Sequence, residues 1–289
     1  MREPDLFAGR APAKVNLVLE VTGRRSDGYH EVDTILQTLE LADRVVISSG
    51  GQRGVEVGGP FADGTPADET NLAWRAAVAL GRRCGHSVET LRISLEKHIP
   101  PAGGLGGGAS DAATTLRLLQ RLWPEATDAM VYDAAVEVGS DEAFFLVGGT
   151  ARARGRGERV EALQPPGRHG VVLFIPSQTL ERKTARMFAV LDSRPFDRGQ
   201  VAERFAASPL AMIGAVHVYN VFEQVAFEEF PGLGDLRSAL GTRIGAPVRL
   251  AGAGPTLFWI GPEEDAAGVA GKAVGLDCTV IVTATVGQL

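Results

Sequence analysis

The chain has 289 residues, of which 45% are hydrophobic and 22% are charged, and it carries a formal net charge of −6. This apolar content is enough for a sizeable core, and the length fits one large domain or two ordinary ones. The composition excludes a largely disordered chain, because charge is moderate and no long block of one sign occurs. The acidic balance also argues against a nucleic-acid binder, which usually has a basic face. An anionic ligand would therefore need backbone N–H groups and a few Lys or Arg side chains.

The sequence carries no feature typical of secretion, of a membrane span or of a structural metal site. The first ten residues contain acids and a proline but no apolar segment, so no signal peptide is predicted. The apolar runs, such as residues 171–175, have the length of strands. Cys84 and Cys278 lie far apart and form no metal-binding spacing, and the histidines show none either. We therefore expect a cytoplasmic protein with reduced cysteines and no structural metal.

The first elements in chain order are strands. Residues 13–22 alternate between apolar and mostly polar positions, which predicts a half-buried strand with Lys14 and Asn16 on one face. Residues 24–28 predict a turn, and further strands are predicted near 34–39, 45–48 and 55–57. A helix is predicted over 71–81, and a strand over 91–96. Residues 50–66, which include the short 55–57 segment, are rich in Gly, Pro and Asp and predict an exposed loop.

A dense glycine cluster follows the 91–96 strand and leads into an amphipathic helix. Five glycines lie between Pro100 and Ser110, and a helix with a cap at Ser110 or Asp111 is predicted to begin near the end of the cluster. Consecutive glycines before a helix let N–H groups converge on an anion, which favours a phosphate-binding loop over a linker. No Gly-Lys-Ser/Thr follows, so the loop is not a Walker A motif, and the acidic residue of a dinucleotide fingerprint is missing too.

The second half of the chain begins at a predicted boundary near residues 164–167. Before it, a helix is predicted over 127–138. The elements predicted after the boundary are, in order, a strand over 171–175, helices between 182 and 240, strands over 247–250 and 256–260, a helix over 263–274 and a strand over 279–285. This pattern predicts two α+β domains, an N-terminal one over 1–164 and a C-terminal one over 165–289.

Several segments along nearly the whole chain resemble the motifs of the GHMP kinases, the superfamily of galacto-, homoserine-, mevalonate- and phosphomevalonate kinases. They are the 11–17 segment Ala-Pro-Ala-Lys-Val-Asn-Leu, the 24–30 segment Arg-Arg-Ser-Asp-Gly-Tyr-His, the glycine cluster, the 139–145 segment Gly-Ser-Asp-Glu-Ala-Phe-Phe and the 251–256 segment Ala-Gly-Ala-Gly-Pro-Thr. The 24–30 segment resembles the branch of the family that acts in non-mevalonate isoprenoid biosynthesis. Each motif alone is weak, but together and in order they are specific.

The resemblance implies a fold and a reaction. The expected fold is a two-domain GHMP kinase, with an S5-like ATP-binding and catalytic domain followed by a ferredoxin-like domain on the substrate side. The expected reaction is ATP-dependent phosphorylation of the 2-hydroxyl of 4-diphosphocytidyl-2-C-methyl-D-erythritol, with Mg²⁺. The resemblance thus implies a small-molecule cytidine diphosphate substrate. From charge and from the length of the apolar runs, no nucleic-acid or membrane partner is expected, and the chain is expected to be a monomer or weak homodimer.

Two residues carry the expected chemistry. By resemblance, Asp141 accepts the proton of the substrate hydroxyl, and Lys14 orients it and stabilises charge on the moving phosphoryl group. From the residues alone, Asp141 fits equally well as a helix cap, and Lys14 fits a solvated lysine on an open sheet face.

The resemblance also implies the binding residues. Those expected to bind ATP are Pro100, Pro101, Ala102, Gly103, Gly104, Leu105, Gly106, Gly107, Gly108, Ala109 and Ser110, with Asn71 and Lys97 near the adenine. Those expected to bind substrate are Asn16, Tyr29, His30, Phe188, Gly252 and Gly254. An aromatic face at Tyr29 and a ring nitrogen at His30 suit a cytosine. The alternatives are core packing for Tyr29, His30 and Phe188, a helix cap for Ser110 and an exposed strand end for Lys97.

The chain departs from the family pattern at three places. Glu142-Ala143 replaces Val-Pro, Ala109 replaces Ser, and the 251–256 segment lacks two of the usual hydroxyls. Two other functions therefore stay open, a GHMP kinase for homoserine or mevalonate and an inactive nucleotide-binding relative. The 24–30 segment argues against the first, and the retention of Lys14 and Asp141 argues against the second.

Overall fold

A computed structural model describes residues 6–50, 52–177, 183–207 and 213–287. Strands and helices are interspersed along the described chain. In order they are β1 Leu6–Arg24, β2 His30–Ser48, β3 Gly54–Gly58, α1 Leu72–Cys84, β4 Arg92–Glu96, α2 Gly107–Leu122, α3 Asp128–Val138, α4 Glu142–Val147, β5 Thr150–Gly155, β6 Arg159–Ala162, β7 Gly170–Ile175, α5 Lys183–Leu191, α6 Gln200–Ala207, β8 Tyr219–Asn220, α7 Glu223–Glu229, α8 Leu233–Ile244, β9 Arg249–Leu250, β10 Leu257–Gly261, α9 Ala266–Gly271 and β11 Thr279–Ala284. The predicted α+β class is confirmed. The predicted helices that fall partly on residues 178–182 and 208–212 lie there outside the described residues.

The chain forms two compact units, and neither is continuous in sequence. Unit 1 contains the residues up to Ala13, Leu41–Pro101 and Gly106–Val147. Unit 2 contains Lys14–Glu40, Ala102–Leu105 and the residues from Gly148 onward. The division into an ATP-binding domain over 1–164 and a substrate-side domain over 165–289 stays a prediction. The contacts between residues group 14–40, 102–105 and 148–164 with the C-terminal half.

Unit 1 packs helices on a small sheet. β3 runs parallel to β4, and β4 pairs antiparallel with the last five residues of β2. α1, α2, α3 and α4 contact one another, and their apolar faces meet the strands in one buried cluster. Asn71 begins α1 because its side chain accepts a hydrogen bond from the Ala73 N–H, and Thr127 caps α3 in the same way through Met130. The predicted 71–81 and 127–138 helices are therefore confirmed.

The two long N-terminal strands differ from the prediction. Every residue of β1 from Ala11 to Val21 is buried, so the strand is covered on both faces rather than half-buried. β2 is continuous over His30–Ser48, where the sequence predicted two strands. The polar residues near the middle of β2 break the alternation, but one of them, Asp43, is buried and paired, so the strand continues through it.

Unit 2 contains a four-stranded antiparallel sheet in the order β11-β7-β10-β9. Helices connect β7 to β9 and β10 to β11, and β9 joins β10 by the short 251–256 turn. This is the ferredoxin-like order, which confirms the predicted arrangement. In the same unit β1 pairs in parallel with β8, a two-residue strand inside a region predicted as helical. The predicted helix at 263–274 begins as a 3-10 turn and ends at Gly271.

Across the described ranges, no helix combines the length and the apolar character that crossing a bilayer requires. The same ranges hold no group of three or more His, Cys, Asp or Glu side chains placed to bind a metal ion.

Candidate active site

Lys14 begins a chain of buried polar side chains in unit 2. Its Nζ donates to Asn16 Oδ1 at 2.8 Å, and Asn16 Nδ2 donates to Thr34 Oγ1 at 2.9 Å. Thr34 Oγ1 donates in turn to the carbonyl of Val18 at 2.6 Å. Lys14 is 4% exposed, so the structure excludes a solvated lysine on an open sheet face. This chain fixes the Lys14 ammonium, and Thr34 is a member that sequence reasoning missed because a threonine on a strand carries no separate signal.

The glycine-rich loop uses left-handed backbone at three positions. Ala102, Gly104 and Gly106 have φ values of 55°, 85° and 77°. α2 then begins at Gly107 with Gly106 at the cap position, so the predicted cap at Ser110 or Asp111 is wrong. Gly107 and Gly108 adopt helical backbone, and the helix starts earlier than its apolar pattern suggests. The first N–H groups of α2 have no partner inside the helix and suit an anion.

Ser110 lies in the first turn of α2 with its side chain turned inward. The residue is fully buried, and its Oγ has no hydrogen-bond partner among the described residues. A buried hydroxyl without a partner is uncommon, because leaving it unsatisfied costs about 1–3 kcal/mol. This oxygen is therefore a candidate contact for a ligand at the start of α2.

The loop between β9 and β10 lies against the glycine-rich loop inside unit 2. Gly104 has no space for a side chain, because a Cβ there would overlap the carbonyl oxygen of Ala251. A Cβ at Gly252 would lie 2.9 Å from the carbonyl oxygen of Gly104 and 3.4 Å from Lys14 Nζ. The backbone N–H of Lys14 also donates to the Leu105 carbonyl at 2.9 Å. The structure thus brings Lys14, Asn16 and both glycine loops together.

Lys97 and Asn71 are engaged with protein groups in unit 1. Lys97 is 2% exposed and forms ion pairs with Asp43 and Asp111, so it is not an exposed strand end. Asp43 also accepts hydrogen bonds from the His98 and Ile99 N–H groups. Burial, followed by the charge of Asp43, raises the pKa of Asp111 above its ordinary range, and Lys97 opposes that rise. Contact of Asn71 and Lys97 with adenine stays a prediction.

His30 is the centre of an aromatic group in unit 2. Its ring stacks on Phe188 with centroids 4.4 Å apart, and its Nε2 lies 2.6 Å from Asp192 Oδ1. Phe196 meets the same imidazole edge-on at 6.3 Å. Phe188 therefore turns one face toward His30, a contact that the sequence did not predict. Asp192 holds one ring nitrogen of His30, which leaves the other for a ligand.

Tyr29 is the solvent-exposed aromatic residue next to His30. It is 50% exposed, and the guanidinium of Arg156 lies 5.1 Å from its ring centroid. Core packing of Tyr29 is thereby excluded. An exposed ring with a cation over it is an available stacking surface for a base.

Asp141 directly precedes α4 and belongs to unit 1, whereas Lys14 belongs to unit 2. The backbone carbonyl of Asp141 accepts a hydrogen bond from the Phe145 N–H at 3.4 Å. Asp141 therefore stands at the start of α4, in agreement with the alternative reading of this residue as a helix cap. The neighbouring Glu142 is 2% exposed, and its carboxylate packs where a side chain at Gly139 would stand. The Glu142 carboxylate is thus buried beside Asp141 instead of facing solvent.

Comparison with known proteins gives a consistent result. Residues 71–149 match the GHMP kinases N terminal domain. The chain is 38% identical over 262 residues to a 4-diphosphocytidyl-2-C-methyl-D-erythritol kinase of Exiguobacterium sibiricum, covering 89% of this chain and 90% of that protein. It is 37% identical over 275 residues to the protein of that name from Saccharopolyspora erythraea, covering 91% and 86%.

Solved structures show the same fold. A crystal structure of 4-(cytidine 5'-diphospho)-2C-methyl-D-erythritol kinase matches with a TM-score of 0.75 and 32% identity, covering 97% of this chain and 100% of that one. The mevalonate kinase of Methanococcus jannaschii matches with a TM-score of 0.68 over 98% and 99% of the two chains. Its 12% identity shows likeness of fold alone.

Proposed function

The chain belongs to the 4-diphosphocytidyl-2-C-methyl-D-erythritol kinase family of GHMP kinases, and we infer from this that it transfers the γ-phosphoryl group of ATP to the 2-hydroxyl of that cytidine diphosphate compound. The observation that carries the inference is the identity of 38% over nine-tenths of both chains to a relative of that name. The product then belongs to non-mevalonate isoprenoid biosynthesis. Homoserine and mevalonate kinases share the fold at 12–18% identity, which does not favour their substrates.

Asp141 and Lys14 are the residues proposed to act on the reacting atoms. Asp141 accepts the proton of the 2-hydroxyl as the oxygen forms its bond to the γ-phosphorus. The bond from that phosphorus to the β–γ bridging oxygen breaks, and ADP leaves with the electron pair. Lys14 Nζ stabilises the charge of the moving group. Asn16 supports this role, because its contact with Lys14 fixes the ammonium before substrate arrives.

The glycine-rich loop and the start of α2 are proposed to bind the phosphates of ATP. Mg²⁺ fits this site, since proteins usually hold it by substrate phosphates and few side chains, and the buried Ser110 Oγ is an oxygen without a partner among the described residues. When bound, Mg²⁺ neutralises charge on the β- and γ-phosphates. Ala109 carries no hydroxyl, so Ser110 is the side chain of this segment proposed to face the ion.

The aromatic group around His30 is proposed to bind the cytosine. Tyr29 offers an exposed ring for stacking, and His30 offers the ring nitrogen that Asp192 does not hold. Phe188 acts in this proposal by holding the imidazole, and direct contact of its ring with cytosine stays a prediction. Gly252 and Gly254 are proposed to let substrate approach the backbone beside Lys14.

Three broader assignments stay proposals as well. The protein is proposed to work in the cytoplasm, where its two cysteines would remain reduced, and as a monomer or weak homodimer. No nucleic-acid partner is proposed, because the net charge is −6.

The test of the function is ADP release from Mg-ATP with the cytidine diphosphate compound, homoserine or mevalonate as acceptor. We expect turnover with the cytidine compound alone. Asp141→Asn should lower kcat by about 10²–10⁴-fold and leave nucleotide affinity unchanged, since an amide cannot accept the proton. Asp128→Asn is the matched control, an exposed aspartate in the first turn of α3. Turnover with none of the acceptors, despite ATP binding, contradicts the function, and an Asp141→Asn variant with full kcat contradicts the role of Asp141.

A further inference from the structure

Lys183, the first residue of α5, is a buried lysine that the reaction described above does not use. It is 9% exposed, and its Nζ donates to the carbonyl oxygen of Ala102 at 2.5 Å and to that of Gly254. One acceptor lies in the glycine-rich loop and the other in the β9–β10 loop. Lys183 therefore bridges the two backbones that lie next to Lys14.

These two loops meet with no side chain between them. Gly104 and Ala251 are so close that a Cβ at Gly104 would overlap the Ala251 carbonyl, and a Cβ at Gly252 would lie 2.9 Å from the Gly104 carbonyl oxygen. Carbonyl groups of facing loops repel one another unless a donor lies between them. Lys183 supplies that donor from one side of the β9–β10 loop. Asn220 supplies another, because its Nδ2 donates to the carbonyls of Leu250 and Gly252.

The charge of Lys183 is unusual for so buried a group. No carboxylate lies within ion-pair distance of its Nζ in the described parts of the chain. Burial, and after it the charge of Lys14, lowers the pKa of Lys183 to about 7. A buried amine without an anionic partner is costly whenever it is charged, so a lysine at this position favours a role that an apolar side chain would not fill. The polyphosphate proposed to bind at these loops would supply the missing negative charge.

The β9–β10 loop itself lacks the groups that could replace Lys183. Ala253 has no polar side-chain atom, and Pro255 has no N–H to donate. Two backbone hydrogen bonds lie within the loop, from the Ala251 N–H to the Thr256 carbonyl and from the Gly254 N–H to the Ala251 carbonyl. The carbonyl of Gly254 is held from outside, by Lys183.

We propose that Lys183 is a positioning residue for phosphoryl transfer, which ties the glycine-rich loop to the β9–β10 loop and so sets the geometry of the phosphates relative to Lys14. This inference rests on the proposed function. Lys183 acts through the loops, because its Nζ donates hydrogen bonds to one carbonyl of each loop. Displacing bound groups by about 1 Å can lower turnover by about 10²-fold, which sets the size of the effect.

Kinetics of the full-length chain test this role. Lys183→Met should lower kcat by about 10²-fold and change the KM for ATP only a few-fold, at a temperature well below the melting point of the variant. Lys183→Arg should recover most of the kcat, because a guanidinium can donate to both carbonyls. Lys272→Met is the matched control, since Lys272 Nζ also donates to one backbone carbonyl, that of Ile244, and is exposed. A destabilised fold alone would not produce rescue by arginine at a temperature where all variants are folded.

Hydrogen exchange gives a readout that does not depend on turnover. The amides of Ala251, Gly254 and Lys14 should exchange faster in Lys183→Met than in the wild type or in Lys272→Met. If the wild type has no kinase activity, the proposed function fails while this measurement still decides the role of Lys183. A Lys183→Met variant with wild-type kcat, or with unchanged exchange at the three amides, overturns the inference. If Lys183→Met does not fold, Lys183→Ala, which also removes the donor and adds no apolar chain between the loops, takes its place under the same criteria.

Discussion

Lys97 shows how one buried charge decides the stability of unit 1. It lies between two buried carboxylates, Asp43 and Asp111, in a cluster that joins β2, the residue after β4 and the second turn of α2. Lys97→Met would leave two uncompensated carboxylates in the core. We expect the free energy of unfolding to fall by about 3–5 kcal/mol at pH 8.

The loss of stability in Lys97→Met should be larger at high pH than at low pH. The pKa of Asp111 is already raised by burial, so the folded state keeps its proton to higher pH than the unfolded state does. That contribution to stability is present at low pH and is lost as the pH rises through the folded-state pKa. Removing Lys97 raises the pKa of Asp111 further, so the loss of stability should be smaller at pH 5 than at pH 8. Urea unfolding at both pH values measures it, and an equal deficit at both would contradict this account.

Lys272→Met serves as the control for Lys97 as well. It removes the same side chain from an exposed site with a single hydrogen bond to the Ile244 carbonyl. Its effect on the free energy of unfolding should stay within about 0.5 kcal/mol at either pH, as for most surface substitutions.

At the scale of elements, two loops depend on glycine for different reasons. Gly104 has φ of 85° and no space for a Cβ beside Ala251, whereas Gly64 has φ of 80° and open space around it. Gly64→Ala should therefore cost only the left-handed strain, about 1–2 kcal/mol. Gly104→Ala should cost more and should also weaken ATP binding, because the two loops must separate.

Urea unfolding and calorimetric titration with ATP measure this pair of variants. The comparison isolates the close approach of the loops, since the backbone strain is nearly the same in both. Equal losses of stability in the two variants, with ATP affinity unchanged in Gly104→Ala, would show that the contact between Gly104 and Ala251 is not needed.

At the scale of the whole molecule, unit 2 is assembled from distant parts of the sequence. Its apolar cluster joins Leu19, Val21 and Val32 of β1 and β2 to Val172 and Phe222 of the C-terminal half. β1 also pairs with β8 inside this unit. A fragment of residues 165–289 would lack these strands and expose the apolar surface they cover. We expect it not to unfold cooperatively.

Circular dichroism during heating tests the fragment against the full chain. The control is co-expression of residues 1–164 with residues 165–289, which restores the missing strands without a covalent link. A cooperative transition in the isolated 165–289 fragment would support the predicted division at residue 164 and contradict the grouping of residues 14–40 with unit 2.

Local patterns in the sequence determined much of this protein. The spacing of apolar residues predicted α1, α3 and most strands. A run of glycines that leads directly into a helix predicted a phosphate-binding loop. The order of motifs predicted the family and the ferredoxin-like second half. These features depend on neighbours within a few residues, which is why they can be read from a linear chain.

Only the tertiary structure decided which polar groups are buried together. It covered both faces of β1, carried β2 through Asp43, started α2 at Gly107 and gave Lys14 its support in Asn16 and Thr34. It also placed Lys183 against Ala102 and Gly254, residues 81 and 71 positions away. The pairing of Asp43, the support of Lys14 by Thr34 and the placement of Lys183 each depend on a hydrogen bond or an ion pair between distant residues. The burial that makes such pairs necessary exists only after the chain has folded.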